Sequence, residues 1–190
     1  EVLAVSGLTY SPTDGTPNIE EISDMVIEHH TNSQIERYRL LKEKIRELVR
    51  DAILDVESPD MSNQVGFFER LKNRAFDRPT DIWVFTTNYD LLLEQACAEV
   101  GLRIANGFVG TTTRFFSEKE FSLVSGTTSK SIFSPDSSLT VRLIKLHGSV
   151  SWYRNGNRVF EAAPNAISNQ EARCMVLPRR TKVVETLSHP

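Results

Sequence analysis

The chain of 190 residues carries 22 Lys and Arg against 25 Asp and Glu, a formal net charge of −3, with 39% hydrophobic and 25% charged residues. That length can bury roughly 70% of the unfolded surface around one core, and the balance excludes a disordered tail, a collagen-like repeat and a membrane bundle. No apolar run reaches the roughly 18 residues of a spanning helix, the mild acidity gives no electrostatic reason to expect nucleic acid, and two cysteines, Cys97 and Cys174, cannot build a disulfide framework or a four-cysteine zinc site.

In chain order, Val2-Leu3-Ala4-Val5 reads as a short strand, followed by a turn-rich stretch from Ser6 to Pro17. Asn18 opens a helix in which Ile19, Ile22, Val26 and Ile27 recur at helical spacing, with Glu20 and Glu21 in the first turn, where the dipole favours anions. His29-His30 on that helix has no nearby cysteine and reads as exposed surface. Ser33-Gln34-Ile35-Glu36 fits a capping box for a second helix. Its apolar face is Ile35, Tyr38, Leu41, Ile45, Leu48, Ala52 and Ile53, and a mixed-charge face including Glu43, Arg46 and Arg50 is expected in solvent. A third helix is expected over Gln64 to Phe76.

The period then changes. Asp81 to Thr87 is short, apolar and β-rich, which suits a strand buried on both faces. Leu91, Leu92, Gln95, Ala96 and Val100 describe a helix ending near Gly101, completing the βα half of a parallel-sheet unit. Residues 106–138 are rich in Gly, Thr and Ser and read as an irregular insertion, with a mobile loop at 125–129. Val141 to Leu146 is a strand running into His147-Gly148-Ser149, and Trp152 to Phe160 is a hairpin around Asn155-Gly156. Cys174 to Leu177 is a last strand.

These elements predict an α/β fold over residues 1–190: a single domain with a Rossmann-like open parallel sheet, helices on both faces and a helical insertion. With no initiator methionine, no secretory signal and a last stretch that stops mid-pattern, the expectation is a fragment of a larger cytoplasmic protein. Ligands of open α/β sheets bind beyond the carboxyl ends of the strands. Three polar clusters fall there: Ser6-Gly7-Leu8-Thr9, Thr86-Thr87-Asn88-Tyr89-Asp90 and His147-Gly148-Ser149.

Each cluster has an ordinary structural reading. Asn88 suits a helix N-cap, worth about 1 kcal/mol, Asp90 complements a first-turn dipole, His147 suits a structural histidine and Gly7 a turn. Together they have a chemical logic. A glycine-containing turn before a helix offers backbone N–H groups to a pyrophosphate. An uncharged amide positions water or a ribose hydroxyl without titrating, and an imidazole takes up a proton near neutrality, typically a 10²–10⁴-fold effect. That set suits cleavage at the anomeric carbon of a dinucleotide through an oxocarbenium-like transition state.

Phe85-Thr86-Thr87-Asn88-Tyr89-Asp90 resembles the Thr-Gln-Asn-Ile-Asp segment of sirtuins, and Leu146-His147-Gly148-Ser149 resembles their His-Gly catalytic segment. The Thr-Thr-Asn-Tyr-Asp and Leu-His-Gly-Ser-Val-Ser-Trp forms are closer to the sirtuin-like NAD hydrolases of bacterial antiphage defence than to the protein deacylases. Ser6-Gly7-Leu8-Thr9 and Gly15-Thr16-Pro17 resemble, more loosely, the family's Gly-Ala-Gly-x-Ser and Gly-Ile-Pro. Val5 and Ser6 stand where the family has Gly-Ala, and Thr87 stands where the deacylases have glutamine.

The resemblance implies that Asn88 orients the attacking water or the nicotinamide ribose and that His147 is the general base. It places Asp90 at the nicotinamide end, Gly7 and Thr9 against the pyrophosphate, and Pro17, Thr87 and Gly148 with them in the NAD-binding set. Adenosine contacts would lie on strands beyond the last residue given. Deacylases carry a zinc module of two Cys-x-x-Cys pairs, a spacing missing from this sequence, so no metal site and no zinc are expected. The leading reading is thus an NAD hydrolase that releases nicotinamide and ADP-ribose and depletes NAD during phage infection. Its implied setting is a homo-oligomer or a complex with an ATPase or an activating phage protein, with no nucleic acid or membrane partner. A deacylase or ADP-ribosyltransferase using the same pair, and a non-catalytic NAD or ADP-ribose sensor, are the alternatives.

Overall fold

In the computed structural model, residues 3, 6–12, 15–74, 78–168 and 172–178 are described. The contacts divide the chain into two compact units, residues 1–56 with 175–190 and residues 57–174.

The first unit is built on two helices, α1 (Ile19–Ser33) and α2 (Glu36–Leu54). Asn18 caps α1 as its sequence predicts, its side-chain oxygen accepting the Glu20 N–H at 2.8 Å. Gln34, in the left-handed region at φ 54°, ends α1, and its N–H returns to the His30 carbonyl at 2.8 Å. The capping box does not form: Ser33 is still helical and its hydroxyl donates back to His29 O at 2.6 Å, so the N-cap of α2 falls on Ile35, which has no side-chain cap to offer. Leu8, Val26, Ile27, Tyr38, Leu41, Ile45 and Leu177 form this unit's core. Leu48, expected inside, is exposed. Arg46, expected in solvent, is buried, with its guanidinium on Glu43 at 2.5 Å and on the Met175 carbonyl at 2.9 Å. Of the expected strand Val2 to Val5 only Leu3 is described, and it is helical; Val2, Ala4 and Val5 lie outside the described residues.

The second unit opens with α3 (Ser62–Lys72), shorter than the predicted Gln64 to Phe76; Phe76 lies outside the described residues. Strand β1 (Thr80–Thr86) and helix α4 (Leu92–Glu99) follow, then β2 (Arg103–Ala105). Gly101, at φ +66°, lets the chain leave α4, with Leu102 N–H returning to Cys97 O at 2.8 Å. Strand β7 (Leu139–Lys145) lies between β1 and β2, parallel to both, giving the order β1-β7-β2 of an α/β fold. Helices α3 and α4 cover one face through Phe68, Ala96, Cys97 and Val100 packed on Val84, Ile104 and Val141.

The strand buried on both faces is β7 and not β1. In β1 only one face is covered by α3 and α4, so burial alternates along it and Asp81, Trp83 and Phe85 on the other face are exposed. Arg142 on β7 is buried on that second face, 2.7 Å from the Asp81 carboxylate and 5.7 Å from the centre of the Trp83 ring.

Residues 106–138 are more regular than their composition predicts. They carry β3 (Phe108–Val109), β4 (Arg114–Phe116), a 3₁₀ turn over Glu118–Ser122, and the hairpin β5 (Gly126–Ser129) and β6 (Ile132–Pro135). The expected mobile loop at 125–129 is therefore mostly a paired strand. Its turn residues Lys130 and Ser131 both take positive φ, 50° and 65°, which matches a type I′ hairpin without the Asn-Gly signal that would announce one. Strands β8 (Gly148–Asn155) and β9 (Arg158–Glu161) form the predicted hairpin, and with β10 (Ala172–Met175) they complete an antiparallel sheet of order β10-β8-β9-β4-β3. Among the described residues no helix is long and apolar enough to cross a membrane.

Candidate active site

Because β1 and β7 are parallel neighbours, their carboxyl ends fall together, with Thr86 in register with Lys145. The two sequence motifs leave the sheet at this shared end. Leu146 N–H donates to Thr86 O at 2.8 Å, and Val150 N–H to Tyr89 O at 3.0 Å, so each loop is stitched to the other by backbone bonds. The Tyr89 and His147 rings lie 6.4 Å apart, tilted by 37°. His147 is buried, 9% exposed. Gly148 follows at φ +81°, a conformation that L side chains disfavour, and it turns the chain from the parallel strand β7 into the antiparallel strand β8 within two residues.

The loop after β1 is shaped by its own hydroxyl and carboxylate. Thr86 Oγ1 accepts the Asn88 N–H at 3.1 Å, and Asp90 Oδ1 accepts the Leu92 N–H at 3.0 Å. Asp90, not Asn88, therefore accepts one of the open N–H groups at the N-terminus of α4, whose N-cap residue Leu91 offers no side-chain cap. Asn88 is exposed, and its side chain has no hydrogen-bond partner among the described residues. Thr87 is exposed beside it, and Asp90 and Gly148 are half-buried. Five of the eight predicted site residues, Thr87, Asn88, Asp90, His147 and Gly148, are thus gathered at one sheet end.

Gly7, Thr9 and Pro17 belong to the first unit, and all three are exposed. Gly7 takes φ +73° in a turn where Ser6 Oγ donates to Leu3 O at 2.9 Å and Leu8 N–H to the same carbonyl at 3.2 Å. Tyr10 ties this loop to α1, its hydroxyl 2.7 Å from Glu21 and accepting the Asn18 N–H at 3.0 Å.

Beneath the site lies a polar group that the sequence reading missed. Lys145 is buried, and its ammonium contacts the Asp90 carbonyl, Ser149 Oγ at 3.2 Å and Glu94 Oε1 at 2.8 Å. Burial pushes the Glu94 carboxyl above the usual carboxylate range, against the opposing pull of the Lys145 charge. Ser149 Oγ donates to Tyr89 O at 3.3 Å and lies 3.0 Å from Ser151 Oγ, which reaches Glu161 at 3.4 Å. Glu161 in turn holds Arg114 and, at 3.0 Å, Asn106. A period-2 count along β7 could have found the lysine. Val141, Leu143 and Lys145 share the face packed on α4, and a lysine on that face needs an anion such as Glu94 in the first turn.

The donor set suits a ligand rich in hydroxyl groups: a free amide at the rim, an enclosed imidazole and a half-buried glycine turn, without a cluster of fixed charge. No group of three or more His, Cys, Asp or Glu side chains is placed to hold a metal ion among the described residues.

A family model for the SIR2-like domain matches residues 83–177, half of the 190 residues, and the chain belongs to that family. The matched stretch contains both strand-end motifs, while Gly7, Thr9 and Pro17 lie outside it. No curated protein shows significant similarity to the chain. The family is one of NAD-using domains, so the sheet end that carries Asn88 and His147 sits within a sirtuin-superfamily domain with an NAD-related function.

Proposed function

We propose that the chain is the catalytic part of an NAD glycohydrolase, splitting the bond between nicotinamide and ribose to give nicotinamide and ADP-ribose. The observation that carries this reading is the unclaimed side chain of Asn88 at the strand end neighbouring His147. An exposed amide with no hydrogen-bond partner among the described residues is available to orient a small polar reactant. In the reaction, Asn88 holds the attacking water or a ribose hydroxyl by hydrogen bonds. His147 accepts the proton released as the water oxygen bonds to the anomeric carbon. The glycosidic electron pair leaves with nicotinamide, so the products are nicotinamide, ADP-ribose and one proton. The Tyr89 ring lies beside the imidazole, and Gly148 turns the chain immediately beyond His147.

Water is the favoured acceptor, because the two cysteines are distant in sequence and do not form the paired spacing of the deacylases' zinc module. Thr87 and Asp90 would face the nicotinamide end, and Gly7, Thr9 and Pro17 would contribute to the rest of the dinucleotide. NAD depletion in the cytoplasm as an antiphage effector, in an oligomer or with an ATPase or phage-encoded activator, is the biological role that fits such an activity. The test is release of nicotinamide from NAD by the full-length protein with no peptide added. His147→Ala is expected to lower kcat by about 10²–10⁴-fold. No release by the full-length protein with its activator present would refute the reading. Release only with an acylated peptide would make the protein a deacylase, and binding without turnover a sensor.

A further inference from the structure

Lys145 is 5% exposed, a placement that lysine tolerates only when its charge is paired. Its ammonium meets three partners on three different parts of the fold: hydrogen bonds to the Asp90 carbonyl in the loop after β1 and to Ser149 on β8, and an ion pair with Glu94 on α4. The lysine itself ends β7, two residues before His147. Two consecutive carbonyls of the loop are thereby fixed from the β7–β8 side, Tyr89 O by Val150 N–H and Ser149 Oγ, and Asp90 O by Lys145. Asn88 is the next residue back along that loop. A leucine or methionine of similar length would fill the space but would leave the Asp90 carbonyl and the Glu94 carboxylate unmatched. Burial of a charge at this point is poorly explained by stability, to which buried ion pairs add little. It is well explained by geometry.

We propose that Lys145 is the positioning residue of this site, an ammonium peg that sets the loop carrying Asn88 against the strand end carrying His147, with Glu94 holding the peg in place. This rests on the reading that Asn88 and His147 act together on NAD. Displacement of a reacting group by about 1 Å can cost 10²-fold in rate. Lys145→Met should therefore act on turnover more than on substrate binding, since Lys145 lies beneath the loop and not at its exposed rim.

Two variants of the full-length protein, Lys145→Met and Lys145→Ala, test the proposal with two readouts. Steady-state nicotinamide release should show kcat lowered by about 10²-fold in Lys145→Met, with KM for NAD within about threefold of wild type. Propylamine, which replaces the missing side chain, should restore at least about a tenth of the lost rate to Lys145→Ala, where a merely structural role predicts no rescue. Amide hydrogen exchange is the second readout. In Lys145→Met the Leu146 and Val150 amides, which stitch the two loops, should exchange about 10-fold faster, while those of β1 and α4 keep their protection. Unchanged kcat in both variants overturns the proposal, whatever the exchange shows. An equal loss of protection across β1, β7 and α4 also overturns it, because Lys145 would then be holding the fold. If the wild type releases no nicotinamide, the glycohydrolase reading fails and exchange alone decides: faster exchange confined to Leu146 and Val150 upholds the peg, and unchanged exchange removes it.

Discussion

Asn88 and Asp90 are two residues apart and of similar shape, yet the structure gives them different work. Asp90 holds the Leu92 amide, whereas Asn88 holds nothing among the described residues. Asp90→Ala is therefore expected to lower stability by about 1 kcal/mol through loss of the cap. Asn88→Ala should leave the unfolding free energy nearly unchanged, within about 0.5 kcal/mol, while abolishing nicotinamide release. Urea titrations beside turnover assays separate the two. From sequence alone either residue could cap the helix, since both types do so readily, and only the start of α4 at Leu92 decides between them. Cys97 supplies a second residue-level expectation. It is fully buried beneath β7, and burial pushes its thiol up to about 12. The reactive thiolate is thus scarce at pH 7–9 and grows only as pH approaches that value. A thiol reagent should leave Cys97 unmodified in the native protein at pH 8 and modify it once denaturant is added, with peptide mapping as the readout.

Among the elements, legibility followed periodicity. The helices α1 and α2 and the strands β1 and β7 are legible from their apolar patterns, and β9 from the Asn155-Gly156 turn, whereas β8 begins at Gly148, four residues before the Trp152 that the turn announces. The hairpin β5–β6 is not legible, because every residue in its strands is exposed and no alternation marks them. Its turn also lacks glycine. Ser131 at φ 65° sits where an L side chain costs about 1 kcal/mol, so Ser131→Gly should stabilise the hairpin by up to that amount, seen as slower amide exchange across residues 126–135. The burial of β1 was misread for a related reason. Its apolar run is the same on both faces, and nothing in the run tells a strand covered on one face from one covered on both. Arg46 escaped notice because a charged residue at a surface-facing spacing gives no hint of the carbonyl it will meet 129 residues later.

At the scale of the whole molecule, the parallel sheet and the two motifs at its carboxyl end were legible, and the site's support was not. Asn88 and His147 could be paired because parallel neighbours must end together. The line from Lys145 through Ser149 and Ser151 to Glu161 depends on β8 folding back beside the site after Gly148, which no local pattern announces. The choice of acceptor is also a property of the complete protein. Adding an acetyl-lysine peptide to the full-length protein is expected to leave the rate of nicotinamide release unchanged within about twofold, the behaviour of an enzyme whose acceptor is water. Chromatographic quantification of nicotinamide and ADP-ribose in equal amounts checks this, and appearance of an acyl-ADP-ribose would contradict it.

The chain has only two tryptophans, and the fold puts one in each kind of sheet. Trp83 stands on the open face of β1 in the parallel sheet, half-exposed and stacked near Phe85 and Phe121. Trp152 lies on β8 in the antiparallel sheet, 5.0 Å from the Phe108 ring and with its indole N–H toward Glu161. Their emission spectra should therefore differ, Trp83 being the redder. Replacing either by phenylalanine leaves a single tryptophan, so one optical measurement can follow the melting of the parallel sheet apart from that of its companion.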